Sequence, residues 1–234
     1  MDKIITADDA VKMVRNGMTV MIGGFLGCGN PHYIIDCLSK SEVKDLTVIC
    51  NDAAMPNGPD GGELYGVAKL IHNRQIKKLI ASHVGTNPEV ARQNNEGTLE
   101  LVLVPQGSLA EMIRAGGAGL GGVLTPVGLG TDVENYEHVH GVVEVDGKKF
   151  MLERPLRADI ALISGYQIDR KGNIWYRGTT RNFNQSMATA ADMVIAEADE
   201  IVGIGAILPE NVMTSGVFVD FIVESGDVSW KKNK

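Results

Sequence analysis

A short apolar run, Met18-Thr19-Val20-Met21-Ile22, ends on Gly23-Gly24, and a helix-compatible segment opens at Pro31. A run that does not alternate polar with apolar residues has no solvent face. As a strand it belongs in a parallel sheet covered on both sides by helices. The same grammar recurs along the chain. A helix is predicted over 31–38, strands over 46–50 and 78–82, a helix over 88–93, a strand over 99–104 and a helix over 109–115. Strand and helix alternate, so the expected class is α/β, a mainly parallel open sheet with flanking helices.

Upstream, Thr6-Ala7-Asp8-Asp9 sets a capping hydroxyl three residues before a carboxylate. Ala10, Val11, Met13 and Val14 follow at helical spacing, so a first helix is expected to end near Asn16-Gly17. Residues 116–130 hold seven glycines in fifteen positions and read as a long loop. Asp146-Gly147 between 142–145 and 148–152 is a two-residue hairpin signal, the mark of an antiparallel insertion. Strands over 160–163, 173–176, 193–196 and 217–223 and a helix over 184–191 complete the reading. No linker or fixed-period repeat divides the chain, and residues 1–234 are read as one domain.

Twenty-two Lys and Arg against 29 Asp and Glu give a net charge of −7. A nucleic-acid binder would carry a basic excess, and the only three lysines clustered within four residues are Lys231, Lys232 and Lys234 in the tail. No apolar run approaches the roughly 18 residues of a membrane helix. The N-terminus carries acidic residues where a signal peptide is basic. Cys28, Cys37 and Cys50 are odd in number and lack CxxC spacing, as expected of reduced thiols. A cytoplasmic location is inferred.

Gly117-Ala118-Gly119-Leu120-Gly121-Gly122 formally satisfies the dinucleotide fingerprint GxGxxG, but a predicted helix precedes it where the fingerprint needs a strand. No Gly-Lys-Ser/Thr phosphate loop is present. The stretch Gly23 to Pro31 does lie between strand and helix. Ligands in open α/β sheets bind at the carboxyl ends of the strands, where glycine N–H groups can face a phosphate or an oxyanion. The simpler alternative is a tight strand-to-helix turn.

Asn16-Gly17-Met18-Thr19-Val20-Met21-Ile22-Gly23-Gly24-Phe25-Leu26-Gly27-Cys28-Gly29-Asn30-Pro31 resembles, at every position, the signature of family I coenzyme A transferases: Asn/Asp-Gly, two residues, three apolar residues, Gly-Gly-Phe, three residues, Gly, one residue, Pro. Cys50-Asn51-Asp52-Ala53, Ser82 to Pro88, Val104-Pro105-Gln106-Gly107, Arg114 to Gly119, Thr125 to Thr131, Leu152 to Asp159 and Arg181 to Asn184 are similar to the alpha subunit of that family, over about 5–223. The likeness is strongest to subunits acting on acetate, butyrate and acetoacetate.

The resemblance implies a two-step exchange. A glutamate carboxylate attacks an acyl-CoA thioester and forms an acyl anhydride with loss of CoA thiolate. The thiolate then attacks the glutamyl carbonyl, releasing the acid and leaving a glutamyl-CoA thioester for the incoming carboxylate. Coenzyme A is thus a substrate, and no permanently bound cofactor is expected. The family's glutamate lies in a Ser-Glu-Asn-Gly motif of the beta subunit. Glu96-Gly97, Glu134-Asn135 and Glu210-Asn211 each fail that motif, so the nucleophile is expected on a separate beta subunit, within an α2β2 tetramer.

Carried over by position, Gly24, Phe25, Leu26, Gly27, Cys28, Gly29 and Asn30 form the CoA-facing loop, and the amides of Asn51 and Gln106 line the site near the glutamate. An amide can donate to an oxyanion without ion-pairing the nucleophile. By position alone, either amide reads more readily as a loop cap. The glycine-rich 116–130 stretch would shape the acyl pocket with Leu120, Leu124 and Val127.

His138-Val139-His140 has chelating spacing but no third ligand, so no metal site is expected. Cys28 is read as a small buried filler, and Trp175 and Trp230 show no stacking platform. The rival readings are a nicotinamide oxidoreductase on Gly117 to Gly122 and a small-molecule sensor on the same fold.

Overall fold

The computed structural model describes residues 2–58 and 62–226; the tail lysines and Trp230 lie outside the described residues. In chain order the elements are β1 (Ile4–Ile5), α1 (Ala7–Met13), β2 (Thr19–Ile22), α2 (His32–Ser39), β3 (Leu46–Ile49), α3 (Ala68–His72), β4 (Ile76–Ala81), α4 (Pro88–Asn95), β5 (Glu100–Leu103), α5 (Gln106–Gly117), β6 (Val123–Thr125), β7 (Val139–Val145), β8 (Lys148–Glu153), β9 (Ala158–Asp169), β10 (Ile174–Trp175), α6 (Asn184–Met187), β11 (Ala191–Val202) and β12 (Phe221–Glu224). Eight strands run parallel in the order β1-β12-β11-β9-β2-β3-β4-β5, and β10 adds a ninth, antiparallel to β9. A separate antiparallel sheet has the order β6-β8-β7.

The non-alternating strands are explained by a core on each face of the large sheet. Val20 and Ile22 of β2, Val48 of β3 and Leu79 of β4 pack with Ala10, Ile35, Leu38, Leu70, Ile71 and Val90 from α1 to α4. Met21, Ile49 and Ala161 point the other way, against Leu109, Met112 and Ile113 of α5 and Met187 of α6. Burying each such side chain stabilises the fold by about 1.5–3 kcal/mol, so both faces of β2 are energetically committed. Parallel alignment brings the carboxyl ends of β2, β3, β4 and β5 to one edge.

Local signals are realised closely. Thr6 Oγ1 accepts from the Asp9 N–H at 3.1 Å and donates to the Asp9 carboxylate at 2.7 Å, capping α1. Asp146 (φ 51) and Gly147 (φ 73) both sit in the left-handed region, as a type I′ hairpin turn requires.

Several predicted boundaries are corrected. The first helix stops at Met13, because Val14 is already extended. The 116–130 stretch is not one loop: α5 runs through Gly117, and β6 pairs with β8. Its glycines mark close approaches instead. A Cβ on Gly116 would overlap the Leu156 carbonyl, one on Gly117 would strike Thr189, and one on Gly122 would meet Leu152 Cδ1 at 2.7 Å. The fingerprint Gly117 to Gly122 therefore follows a helix and leads into β6, which removes the strand–loop–helix context of a dinucleotide site. The helix expected over 184–191 is the four residues of α6, and Ala191 opens the 12-residue β11. The last strand begins only at Phe221, since 216–218 form a 3₁₀ turn with Val217 exposed. Sequence periodicity misses β1 and α3, each too short to show a period.

Candidate active site

The loop that follows β2 folds back on itself. Phe25 and Cys28 exchange both backbone hydrogen bonds (3.0 and 2.9 Å) around Leu26 and Gly27, which sit at φ 46 and 83. The tip projects with Phe25 43% exposed. Below it the loop is clamped from two sides. On one side Asp52 accepts from the Leu26 N–H (2.8 Å), His32 Nε2 meets the Gly27 carbonyl (2.8 Å), and the Tyr65 ring lies 4.5 Å from that of His32. On the other, Asn182 Nδ2 donates to the Cys28 carbonyl and Asn184 Nδ2 to that of Gly29, each at 2.9 Å. Asn30 is buried and its side chain donates to the Gly23 carbonyl. The N–H groups of Gly24, Gly27 and Gly29 have no acceptor among the described residues, so they stay available to an anionic ligand.

Asn51 follows β3 and is buried; Gln106 is the exposed first residue of α5, just past β5. The structure joins them: Gln106 Nε2 donates to Asn51 Oδ1 at 2.7 Å. Ser82, after β4, donates through its hydroxyl to the same oxygen at 3.1 Å and to the Asn51 carbonyl at 2.8 Å. Asn51 Nδ2 in turn donates to Asp52 Oδ2 at 2.7 Å. Both sequence-expected amides and the glycine loop thus meet at one sheet edge through Asp52. The arrangement presents N–H donors and a hydroxyl, and Asp52 is committed to three N–H groups, the third from Ala54 at 2.8 Å. Chemically, such a surface can bind and stabilise an oxyanion, and among the described residues its one carboxylate, Asp52, is already engaged.

Asp52, His32, Tyr65, Asn182 and Asn184 are the residues around the candidate site to which sequence reasoning assigns no role. Only Asp52 leaves a local trace, a carboxylate beside a strand-end amide of the kind that forms an Asx turn.

The remaining candidates stand apart. Cys28 is half-buried with its Sγ 3.4 Å from Thr179 Oγ1, which corrects the expectation of a buried filler. Burial pushes the Cys50 thiol well above its ordinary pKa. His138 is buried, and burial lowers its pKa, whereas His140 is exposed. Among the described residues no three His, Cys, Asp or Glu side chains form a metal cluster. Leu120, Leu124 and Val127 are all exposed. No helix among the described residues is long and apolar enough to cross a membrane.

The sequence profile described as Coenzyme A transferase matches residues 4–225. This chain belongs to the coenzyme A transferase family. Within it, the chain is 46% identical over 223 residues to the acetate CoA-transferase subunit alpha of Escherichia coli strain K12, covering 95% of this chain and 97% of that one. It is also 46% identical over 222 residues to the acetoacetyl-CoA:acetate/butyrate CoA transferase alpha subunit of Clostridium acetobutylicum, with the same 95% and 97% coverage. The fold is shared with the thioester complex of an acyl-CoA transferase from Escherichia coli O157:H7 with CoA, at TM-score 0.83 and 19% identity over 97% of this chain and 48% of that one. This chain therefore spans about half of that enzyme. Glutaconate coenzyme A-transferase from Acidaminococcus fermentans superposes with TM-score 0.80 at 19% identity, over 95% of this chain and 75% of the other.

Proposed function

We propose that this chain is the alpha subunit of a cytoplasmic CoA-transferase that moves CoA between a short-chain acyl-CoA (acetoacetyl-, acetyl- or butyryl-CoA) and a short-chain carboxylate. The transfer passes through a glutamyl-CoA thioester whose glutamate is on a separate beta subunit, in an α2β2 assembly. The chain acts as a single CoA-transferase domain over its whole length.

The reading rests on one observation above the others. The sheet edge gathers the Asn51–Gln106 amide pair and the glycine loop, while the carboxylate between them, Asp52, already accepts from three N–H groups. A site of donors whose described carboxylate is already engaged fits half of a covalent acyl-transfer site. In this reading the loop from Gly24 to Asn30 receives CoA, its glycine N–H groups facing the ligand. Asn51 and Gln106 donate to the oxyanion that forms when the partner's glutamate attacks the thioester, and again when CoA thiolate attacks the glutamyl carbonyl. Coenzyme A enters and leaves as substrate.

The test is a transferase assay with acetoacetyl-CoA and acetate. It is run on this chain alone and on this chain co-expressed with a beta-subunit partner. Activity is expected only in the co-expressed complex. Full activity in the chain alone would place the nucleophile here and overturn the half-site reading.

A further inference from the structure

We propose that Asp52 is a positioning residue that couples the Gly24 to Asn30 loop to the Asn51–Gln106 amide pair and sets the direction in which those amides donate. The inference rests on the function proposed above and adds to it a residue and a role.

Asp52 is 5% exposed. Its Oδ1 accepts from the Ala54 N–H, and its Oδ2 accepts from both the Leu26 N–H and Asn51 Nδ2. A carboxylate has only acceptors to offer, so whatever faces it must turn a donor toward it. Asn51 is thereby obliged to aim its NH₂ at Asp52 and its carbonyl oxygen at Gln106 and Ser82. Gln106 is in turn obliged to donate. The result is a one-way chain, Gln106 to Asn51 to Asp52, in which Gln106 keeps a second N–H for a substrate oxyanion. An uncharged acceptor–donor side chain at position 52 would let either amide rotate and present its carbonyl to the developing negative charge.

The same oxygen holds the loop tip. Leu26 has φ 46, a conformation that L side chains other than Asn or Asp rarely adopt, so the turn needs an external hold. The Leu26 N–H bond to Asp52 supplies it from the adjacent strand end. Loop height and amide direction thus depend on one buried carboxylate.

Asp52→Asn in the co-expressed complex preserves shape and removes the obligatory acceptor. We expect kcat to fall by about 10²-fold, the size of losing one oriented oxyanion donor, and KM for the acyl-CoA to rise as the loop loosens. Asn51→Ala should lower kcat and leave that KM unchanged. In the double variant, kcat should be no lower than in Asn51→Ala within about twofold, while the KM increase of Asp52→Asn persists, because residues in one network are non-additive. Multiplicative losses in kcat, or wild-type kinetics in Asp52→Asn, would overturn the proposal. Should Asp52→Asn fail to assemble, amide hydrogen exchange on the wild-type complex decides. The Leu26 and Ala54 amides should be strongly protected relative to those of Gly24, Gly27 and Gly29, and equal exchange would refute the coupling. A wild-type complex without CoA transfer would instead refute the function, and the exchange measurement would still judge the link.

Discussion

At the scale of single residues, the pairing of Asn51 with Gln106 changes what mutagenesis should show. Asn51→Ala and Gln106→Ala are each expected to lower turnover by about 10²-fold or more if each removes an oriented donor. Because Gln106 donates to Asn51 directly, the double alanine variant should lose less than the product of the two, readable from kcat of the three complexes. Glu153 makes a second, independent case. It is fully buried on β8, neither carboxylate oxygen has a hydrogen-bond partner among the described residues, and burial raises its pKa, opposed by the nearby Ser108 hydroxyl. A folded-state pKa above the unfolded one means that the folded protein holds the proton more tightly. The associated stability is complete below the ordinary value of 4.5 and is lost as pH rises through the folded value. Glu153→Gln keeps the neutral shape, so its Tm should exceed that of the wild type near pH 8 and converge with it near pH 4. A constant difference across that range would assign the effect to packing.

Among elements, α2 and α5 flank the proposed site, and their hold on the sheet is where sequence and structure part. Pro31 gives α2 no side-chain cap. The remote Glu197 on β11, buried, accepts from the Ile34 N–H at 2.9 Å and from Ser225 Oγ at 2.7 Å. Removing a carboxylate from a helix N-terminus costs about 1 kcal/mol, so Glu197→Gln should lower the denaturant midpoint by a corresponding amount. For α5 the critical feature is contact distance: Gly116→Ala drives a Cβ into the Leu156 backbone carbonyl, an overpacking expected to cost about 1–3 kcal/mol. Equilibrium unfolding checks both. These contacts also show what was legible in advance. β2, β3, β4 and the Asp146-Gly147 hairpin could be read because apolar runs and turn residues act locally. Glycine content alone reads the 116–130 stretch as loop, because glycine serves equally for flexibility and for close approach, and only the partner, here Leu156, Thr189 or Leu152, distinguishes them. The amides could be placed by motif, whereas the Leu26–Asp52 and Asn184–Gly29 bonds span 26 and 155 residues and leave no periodic trace.

For the molecule as a whole, the question is whether Glu96 or Glu210, the first and last of the glutamates that fail the motif, could serve as the nucleophile. Parallel strands give the sheet two unlike edges, and the amides and the glycine loop occupy the carboxyl edge. Glu96 follows α4 and precedes β5, so it lies toward the opposite edge. It is also ion-paired with Arg74 at 2.9 Å and Arg92 at 2.7 Å, partners that hold its carboxyl below the usual pKa and weaken it as a nucleophile. Glu210 sits exposed in the 3₁₀ turn Pro209–Asn211. The Glu96 location keeps its carboxylate away from an acyl group placed, as proposed, at Asn51 and Gln106, and Glu210 has no hydrogen bond to either amide or to the glycine loop among the described residues. Glu96→Gln and Glu210→Gln, each assembled with the partner subunit, should therefore retain kcat within about twofold, since surface substitutions outside a site usually change little. A loss of two or more orders of magnitude in either variant, with assembly intact by gel filtration, would move the nucleophile into this chain and overturn the half-site reading.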